Sequence, residues 1–175
     1  MLEKARRCEC DLGGLRPPMV SSTLGATRFA SCSQGDSLAR MTFDEIVSYL
    51  RADGWPIEPL REKTVRSSFR ADTRAFTFFA HAEGAYLVLA VVPYLRLPVE
   101  EDTAQTLMDR LLHLNNEMVF AKFSVDEDGD VILSVEYPMA HLDKTEIRDA
   151  LDVLTYYANT HWPEISKMGG PPPEV

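Results

Sequence analysis

The sequence predicts an α+β fold with the element order α-β-β-β-α-β-β-α, in which helices pack on a five-stranded antiparallel sheet. Three observations lead to this prediction. Apolar residues recur at helical spacing in three separate segments. Between these segments lie runs with the two-residue alternation of β-strands. Short polar turns at Glu83-Gly84 and at residues 126–130 join consecutive runs, which indicates hairpins.

The first helix is predicted to begin after Thr42. Thr42 and Glu45 have the spacing of a capping box, and Asp53-Gly54 is a typical C-terminal stop. The expected buried face consists of Phe43, Ile46, Val47 and Leu50.

The domain is predicted to span residues 41–168. Residues 11–40 are rich in Gly, Pro, Ser and Thr and show neither a helical nor a strand period, so residues 1–40 are expected to be a flexible or disordered tail. The alternative is that translation starts at Met41, where the composition changes. Residues 169–175 are expected to fray.

Three strands are predicted next, over residues 64–70, 75–81 and 85–92. A two-residue loop at Glu83-Gly84 would pair the second and third strands in one register. The third strand is apolar on both faces, so it should either be central with helices above and below, or meet a partner with its outer face. The pairs expected in the hairpin are Ala80 with Leu87, Phe78 with Leu89, and Phe76 with Val91.

The second helix is predicted over residues 100–115, with acidic residues at its N-terminus that suit the helix dipole. Its apolar stripe is wider than one buried face needs. The stripe consists of Leu107, Met108, Leu111, Leu112 and Leu114.

The second hairpin is predicted over residues 119–125 and 131–137. A two-residue turn at Asp128-Gly129 would mix the two faces, whereas an odd-numbered loop keeps the apolar residues together. We therefore expect a bulged turn with Gly129 in the left-handed conformation. The expected pairs are Val125 with Val131, Phe123 with Leu133, Ala121 with Val135, and Val119 with Tyr137.

The last helix is predicted to begin with a capping box formed by Asp143 and Glu146, and to end or kink at Trp162-Pro163.

Charge is unevenly distributed along the chain. Residues 1–40 carry a net charge of +2, whereas the other 135 residues hold 12 basic and 23 acidic side chains, a net of −11. Such a field repels phosphate backbones, so no nucleic-acid binding is expected. No apolar run approaches the ~20 residues of a membrane span, and no secretory signal is recognised, so no membrane association and a cytoplasmic location are expected.

The sequence shows no catalytic, metal or cofactor site. The acidic run at residues 126–130 lacks the spacing of an EF-hand, because Gly129 is its fourth residue and Tyr137 stands where a bidentate Glu is needed. Cysteines at positions 8, 10 and 32 lack the spacing and the partners of a zinc site. The scattered histidines have no motif partners. They are His81, His113, His141 and His161.

Several features in series resemble the YbjN family of bacterial sensory transduction regulators, over about residues 41–167. They are Asp53-Gly54-Trp55, Pro98 before the second helix, Leu111-Leu112-His113-Leu114-Asn115, the hairpin at residues 121–131, and the last helix from Ala150-Leu151 through Tyr156 to Pro163-Glu164-Ile165. The resemblance implies the fold of type III secretion chaperones. It also implies a dimerising, protein-binding or regulatory module without catalytic residues.

The predicted function is a non-enzymatic protein-binding module, chaperone-like or regulatory, which binds an extended partner segment and itself as a homodimer. The alternative is a small-ligand sensor with a pocket between the last helix and the sheet. The expected dimer or partner surface consists of Leu107, Leu111 and Leu114 of the second helix and Tyr86 and Val88 of the third strand.

Overall fold

The computed structural model describes residues 41–169, and the predicted tails, Gly169 excepted, lie outside the described residues. The predicted α+β class is confirmed, with six strands instead of five. The helices are α1 (Phe43–Ala52), α2 (Glu101–Glu117) and α3 (Lys144–Ile165), with a 3-10 turn at Met139–His141. The strands are β1 (Glu58–Arg61), β2 (Thr64–Arg70), β3 (Ala75–Glu83), β4 (Tyr86–Arg96), β5 (Ala121–Val125) and β6 (Asp130–Pro138).

The six strands form one antiparallel sheet in the order β1-β2-β3-β4-β6-β5. The strand missed in the sequence is β1, which contains Pro59 and pairs with the first half of β2. A proline is tolerated there because an edge strand has one side without ladder hydrogen bonds. The two-residue connection from β1 to β2 places Lys63 at φ 58°.

The predicted helix starts are confirmed. Thr42 accepts a hydrogen bond from the Glu45 amide, and Asp143 accepts from the amides of Thr145 and Glu146, each within a complete capping box. Pro163 does not end α3, which continues to Ile165.

The predicted register of the first hairpin was wrong by two residues. Phe78 pairs with Val91 and Ala80 with Leu89, because the turn lies at Gly84-Ala85, one residue later than predicted. Gly84 adopts φ +57°, a conformation open to glycine at little cost. A shift of two residues preserves the side-chain alternation, so the predicted faces remain correct.

The predicted register of the second hairpin is confirmed for Val125 with Val131, Phe123 with Leu133, and Ala121 with Val135. Gly129 has φ +78°, as expected of the bulged turn. The fourth expected pair, Val119 with Tyr137, is absent from the described ladder because β5 begins only at Ala121, after Phe120 at φ 63°.

All three helices lie on one face of the sheet. Their buried apolar side chains join one core cluster with the strand residues of that face. The residues that β4 contributes to this cluster are Leu87, Leu89, Val91, Tyr94 and Leu95.

Candidate partner-binding surface

The second face of the sheet, which we call the open face, receives no buried apolar side chain from any of the three described helices. Two arrangements were expected for the strand with two apolar faces. The first, with helices on both sides of the sheet, is therefore wrong. β4 is central, between β3 and β6, but its Val88 and Ala90 lie on the face opposite the core cluster. An apolar sheet face without intramolecular cover is typical of a surface that meets a partner.

The strand registers define the layout of the open face. One cross-strand row runs over all six strands, with apolar residues at its centre and charged residues at its margins. It consists of Glu58, Arg66, Phe79, Ala90, Ser134 and Lys122. Side chains in such a row stand side by side, and the larger Phe79 and Arg66 flank the small Ala90 and Ser134, which are 9% and 4% exposed.

Ion pairs bound the apolar centre on both sides. Arg66 Nη2 lies 2.6 Å from Glu58 Oε2 at the β1 margin, and Lys122 Nζ lies 2.7 Å from Glu136 Oε1 at the β5 margin. An apolar centre with a charged rim is the usual anatomy of a protein interface.

Two aromatic side chains extend the open face toward solvent. Tyr86, beside Val88, is 50% exposed, and Phe120, at the start of β5, is 70% exposed. The Phe120 ring stacks on Tyr137 with ring centroids 6.0 Å apart. Exposed aromatic side chains often contribute strongly to protein interfaces.

The residues predicted to form the surface separate into two groups. Leu107, Leu111 and Leu114 are at most 4% exposed, because they pack into the core of the same chain, so they leave no accessible surface for a second chain. Tyr86 and Val88 remain accessible on the open face. Phe79, which was not among the predicted surface residues, also lies on the open face, because the strand registers place it between Arg66 and Ala90.

The outer edge of β5 is closed by a side chain of α2. The Phe123 amide donates to Asn115 Oδ1 at 2.6 Å, and Asn115 Nδ2 donates to the Phe123 carbonyl at 3.0 Å. The carboxamide thus makes the two bonds that a neighbouring strand would make with this residue.

The space between α3 and the sheet is filled by side chains. The buried Tyr94 hydroxyl donates to the Ala158 carbonyl of α3 at 2.9 Å, and burial raises the pKa of this phenol. The Tyr94 ring packs between Phe76 and Trp162, with centroids 5.5 and 5.4 Å away. Nothing in this packing favours the predicted small-ligand pocket.

Three of the histidines can be placed. His81 Nδ1 lies 2.8 Å from Thr64 Oγ1 and 3.0 Å from the Lys63 carbonyl, whereas His113 is exposed on α2. The His161 ring stacks on Tyr157 with centroids 5.6 Å apart, and its Nε2 is buried without a hydrogen-bond partner among the described residues. Burial lowers the pKa of His161.

Two carboxylates of the acidic hairpin tip have partners within the chain. Asp126 Oδ1 accepts from the amides of Asp128 and Asp130 at 3.0 and 2.9 Å, and Asp130 pairs with Arg96 at 2.8 Å. Within residues 41–169, no group of three or more His, Cys, Asp or Glu side chains is arranged to hold a metal ion.

The fold and its open face define a class: an α+β protein whose antiparallel sheet is covered by helices on one side. The sequence profile of the YbjN family, described as "Putative bacterial sensory transduction regulator", matches residues 42–166. The chain therefore belongs to the YbjN family.

Several solved structures are similar to this chain. The crystal structure of YbjN from E. coli, described as a putative transcription regulator, has a TM-score of 0.53 at 10% identity and covers 71% of this chain and 94% of its own. The ExsC-ExsE complex has a TM-score of 0.47 at 18% identity, covering 67% and 88%. The HopA1-SchA chaperone-effector complex has a TM-score of 0.45 at 17% identity, covering 66% and 90%. At these identities the first similarity supports the fold alone.

None of the curated proteins matches the chain. Across residues 41–169, no helix has both the length and the apolar composition needed to cross a membrane.

Proposed function

We propose that this chain is a non-enzymatic, cytoplasmic protein-binding module that holds a protein partner on the open face of its sheet. The observation that carries the proposal is the apolar outer face of the central strand β4, which the described helices leave uncovered. The role is regulatory or chaperone-like. The description of the family as sensory transduction regulators supports the first of these two roles.

Self-association is part of the proposal. A sheet face with accessible apolar side chains at Tyr86, Val88 and Phe79 and ion pairs at its margins is compatible with a second copy of the chain as well as with another protein. With Leu107, Leu111 and Leu114 buried, a homodimer would use Tyr86, Val88 and Phe79 instead of α2.

A photoreactive amino acid at position 88 tests the proposal in cells of the native host. Leu112 is the matched control position, because it is also apolar and is 67% exposed, but lies on α2 away from the sheet. We expect a protein adduct from position 88 and none from position 112. A shift by about 20 kDa identifies a second copy of this 19.7 kDa chain, and mass spectrometry identifies any other partner.

Adducts at position 112 and none at position 88 would contradict the proposal. In a further experiment the photoreactive amino acid replaces Tyr86. The substitution Val88→Asp should then abolish the adducts formed from position 86, because a carboxylate in an apolar interface stays desolvated and unpaired. Leu112→Asp should leave them unchanged.

A further inference from the structure

The edge strand β1 covers only the first half of β2. The pairing runs from Arg61 with Thr64 to Glu58 with Arg66 and stops there. Pro56, two residues before β1, has no amide hydrogen to continue the ladder. Within the described part of the chain, Ser68 and Arg70 have no partner strand on this side.

The backbone groups of Ser68 and Arg70 point toward the vacant edge. The amide of Ala82 bonds to the Lys63 carbonyl at 3.0 Å and that of Ala71 to the Arg74 carbonyl at 2.8 Å, in the same register as the β2–β3 ladder. Antiparallel ladders alternate, so the odd-numbered residues of β2 bond to β3 and the even-numbered ones face outward. Ser68 and Arg70 are exposed.

A groove of about 530 Å³ lies at this edge, between residues 56–58 and residues 66–68. Ser67, which lines it, is only 4% exposed, and its Oγ has no hydrogen-bond partner in the described structure. The opposite edge of the sheet is closed at Phe123 by Asn115.

The charges at this edge indicate what it binds. β1 places Glu58 opposite Arg66, with a 2.6 Å ion pair. Arg70, the next arginine on the same face of β2, forms no ion pair with any described residue. Residues 58–74 contain five basic and three acidic side chains, a net of +2 in an otherwise acidic domain. Pairing of two β2 edges about Ser68 would set Arg66 opposite Arg70 of the second copy, which is unfavourable.

Building on the proposed function, we propose that the vacant half of the β2 edge binds one extended segment of a partner protein. The segment adds as an antiparallel strand in line with β1 and exchanges backbone hydrogen bonds with Ser68 and Arg70. It places a carboxylate opposite Arg70, as Glu58 does opposite Arg66.

Two synthetic peptides test this site on the full chain. Both are seven-residue alternations of Thr and Val with blocked ends, one with a central Glu and one with a central Lys. We expect the Glu peptide to shift the backbone amide resonances of Ser68 and Arg70, and to bind about three- to tenfold more tightly than the Lys peptide, given the size of cross-strand charge effects. Arg70→Glu should reverse that preference.

Ser68→Pro removes the outward amide and should abolish binding, whereas Ser68→Ala keeps the amide and should bind like the parent chain. Proline is tolerated at an edge position whose amide faces solvent, and circular dichroism confirms the fold of both variants. Equal binding by the two variants would overturn the inference. So would peptide-induced shifts confined to β5, or the absence of any shift at millimolar peptide.

The crosslink at position 88 separates this inference from the proposed function. If the position-88 adduct forms equally well in the Ser68→Pro variant, the open face binds the partner without strand addition, and the inference alone fails. If the peptides bind at Ser68 and position 88 gives no adduct, the open-face proposal fails instead.

Discussion

Replacing Asn115 by alanine should destabilise the chain and open the β5 edge. The Asn115 carboxamide bonds to both backbone groups of Phe123, at 2.6 and 3.0 Å, in a part-buried setting. Each such hydrogen bond contributes about 0.5–1.5 kcal/mol, so the loss of both costs about 1–3 kcal/mol of unfolding free energy.

The neighbouring residue supplies the control. Asn115 and Asn116 both lie in α2, where alanine is the better helix former by up to about 0.7 kcal/mol. Asn116 is exposed, and its side chain makes no hydrogen bond to a described residue. Asn116→Ala therefore gains the same helix propensity without losing a bond. The difference between the two variants isolates the contribution of the edge contact.

Urea unfolding followed by circular dichroism measures both variants, and amide exchange at Phe123 reports the bond directly. We expect Asn115→Ala to unfold at lower urea than Asn116→Ala with a similar m-value, and its Phe123 amide to exchange faster. If the unfolding free energies of the two variants agree within about 0.5 kcal/mol, the difference is smaller than the expected contribution of the two hydrogen bonds. That result would refute the role of Asn115 in closing the β5 edge.

Two further predictions concern α3 and the residues after it. Gly169→Ala should lower the free energy of unfolding by about 1–3 kcal/mol, because a Cβ there would clash with Leu95 Cδ1 and lie 3.1 Å from the Arg96 carbonyl. Thermal melting measures this loss. In a double variant with Leu95→Ala, the two losses of stability should not add, because the clash is removed. His161 has a folded pKa below its ordinary 6.5 because burial disfavours the cation, while Glu164 and Glu117 oppose this shift and Arg110 adds to it. Its contribution to stability is therefore present above pH 6.5 and lost as the pH falls through the folded pKa. His161→Phe keeps the stack on Tyr157 but removes the titrating group, so the variant should lose less stability than the parent chain between pH 7 and pH 5. Urea titrations at each pH measure this. Unfolding free energies that fall in parallel with pH for the two proteins would contradict the prediction.

Much of the fold could be predicted because local patterns and tertiary packing agree. The capping boxes at Thr42 and Asp143 are local, and the second-hairpin register follows from keeping Val125, Phe123 and Ala121 on one face. β1 was not predicted because Glu58–Arg61 shows no alternation of apolar and polar residues, and all four of its residues are exposed. Its pairing depends on β2 instead of on its own composition.

The surface was harder to predict than the fold. The leucines of α2 and the outer residues of β4 are equally apolar in sequence, and periodicity cannot tell which of them the same chain covers. The structure buries Leu107, Leu111 and Leu114 and leaves Tyr86 and Val88 accessible. Which of these residues are buried depends on all three helices packing on one side of the sheet. That arrangement is a property of the whole topology.

The two edges of the sheet differ in whether their outward backbone groups have hydrogen-bond partners. At β5, Asn115 satisfies the outward backbone of Phe123. At β2, the short β1 leaves Ser68 and Arg70 without a neighbouring strand in the described structure. Natural sheets normally protect their edges, because a vacant edge recruits other strands. A partner segment that enters at β2 would extend the rows that run from Ser68 to Thr77 and from Arg70 to Ala75, beside the row that contains Phe79, so the edge and the open face would act as one binding surface.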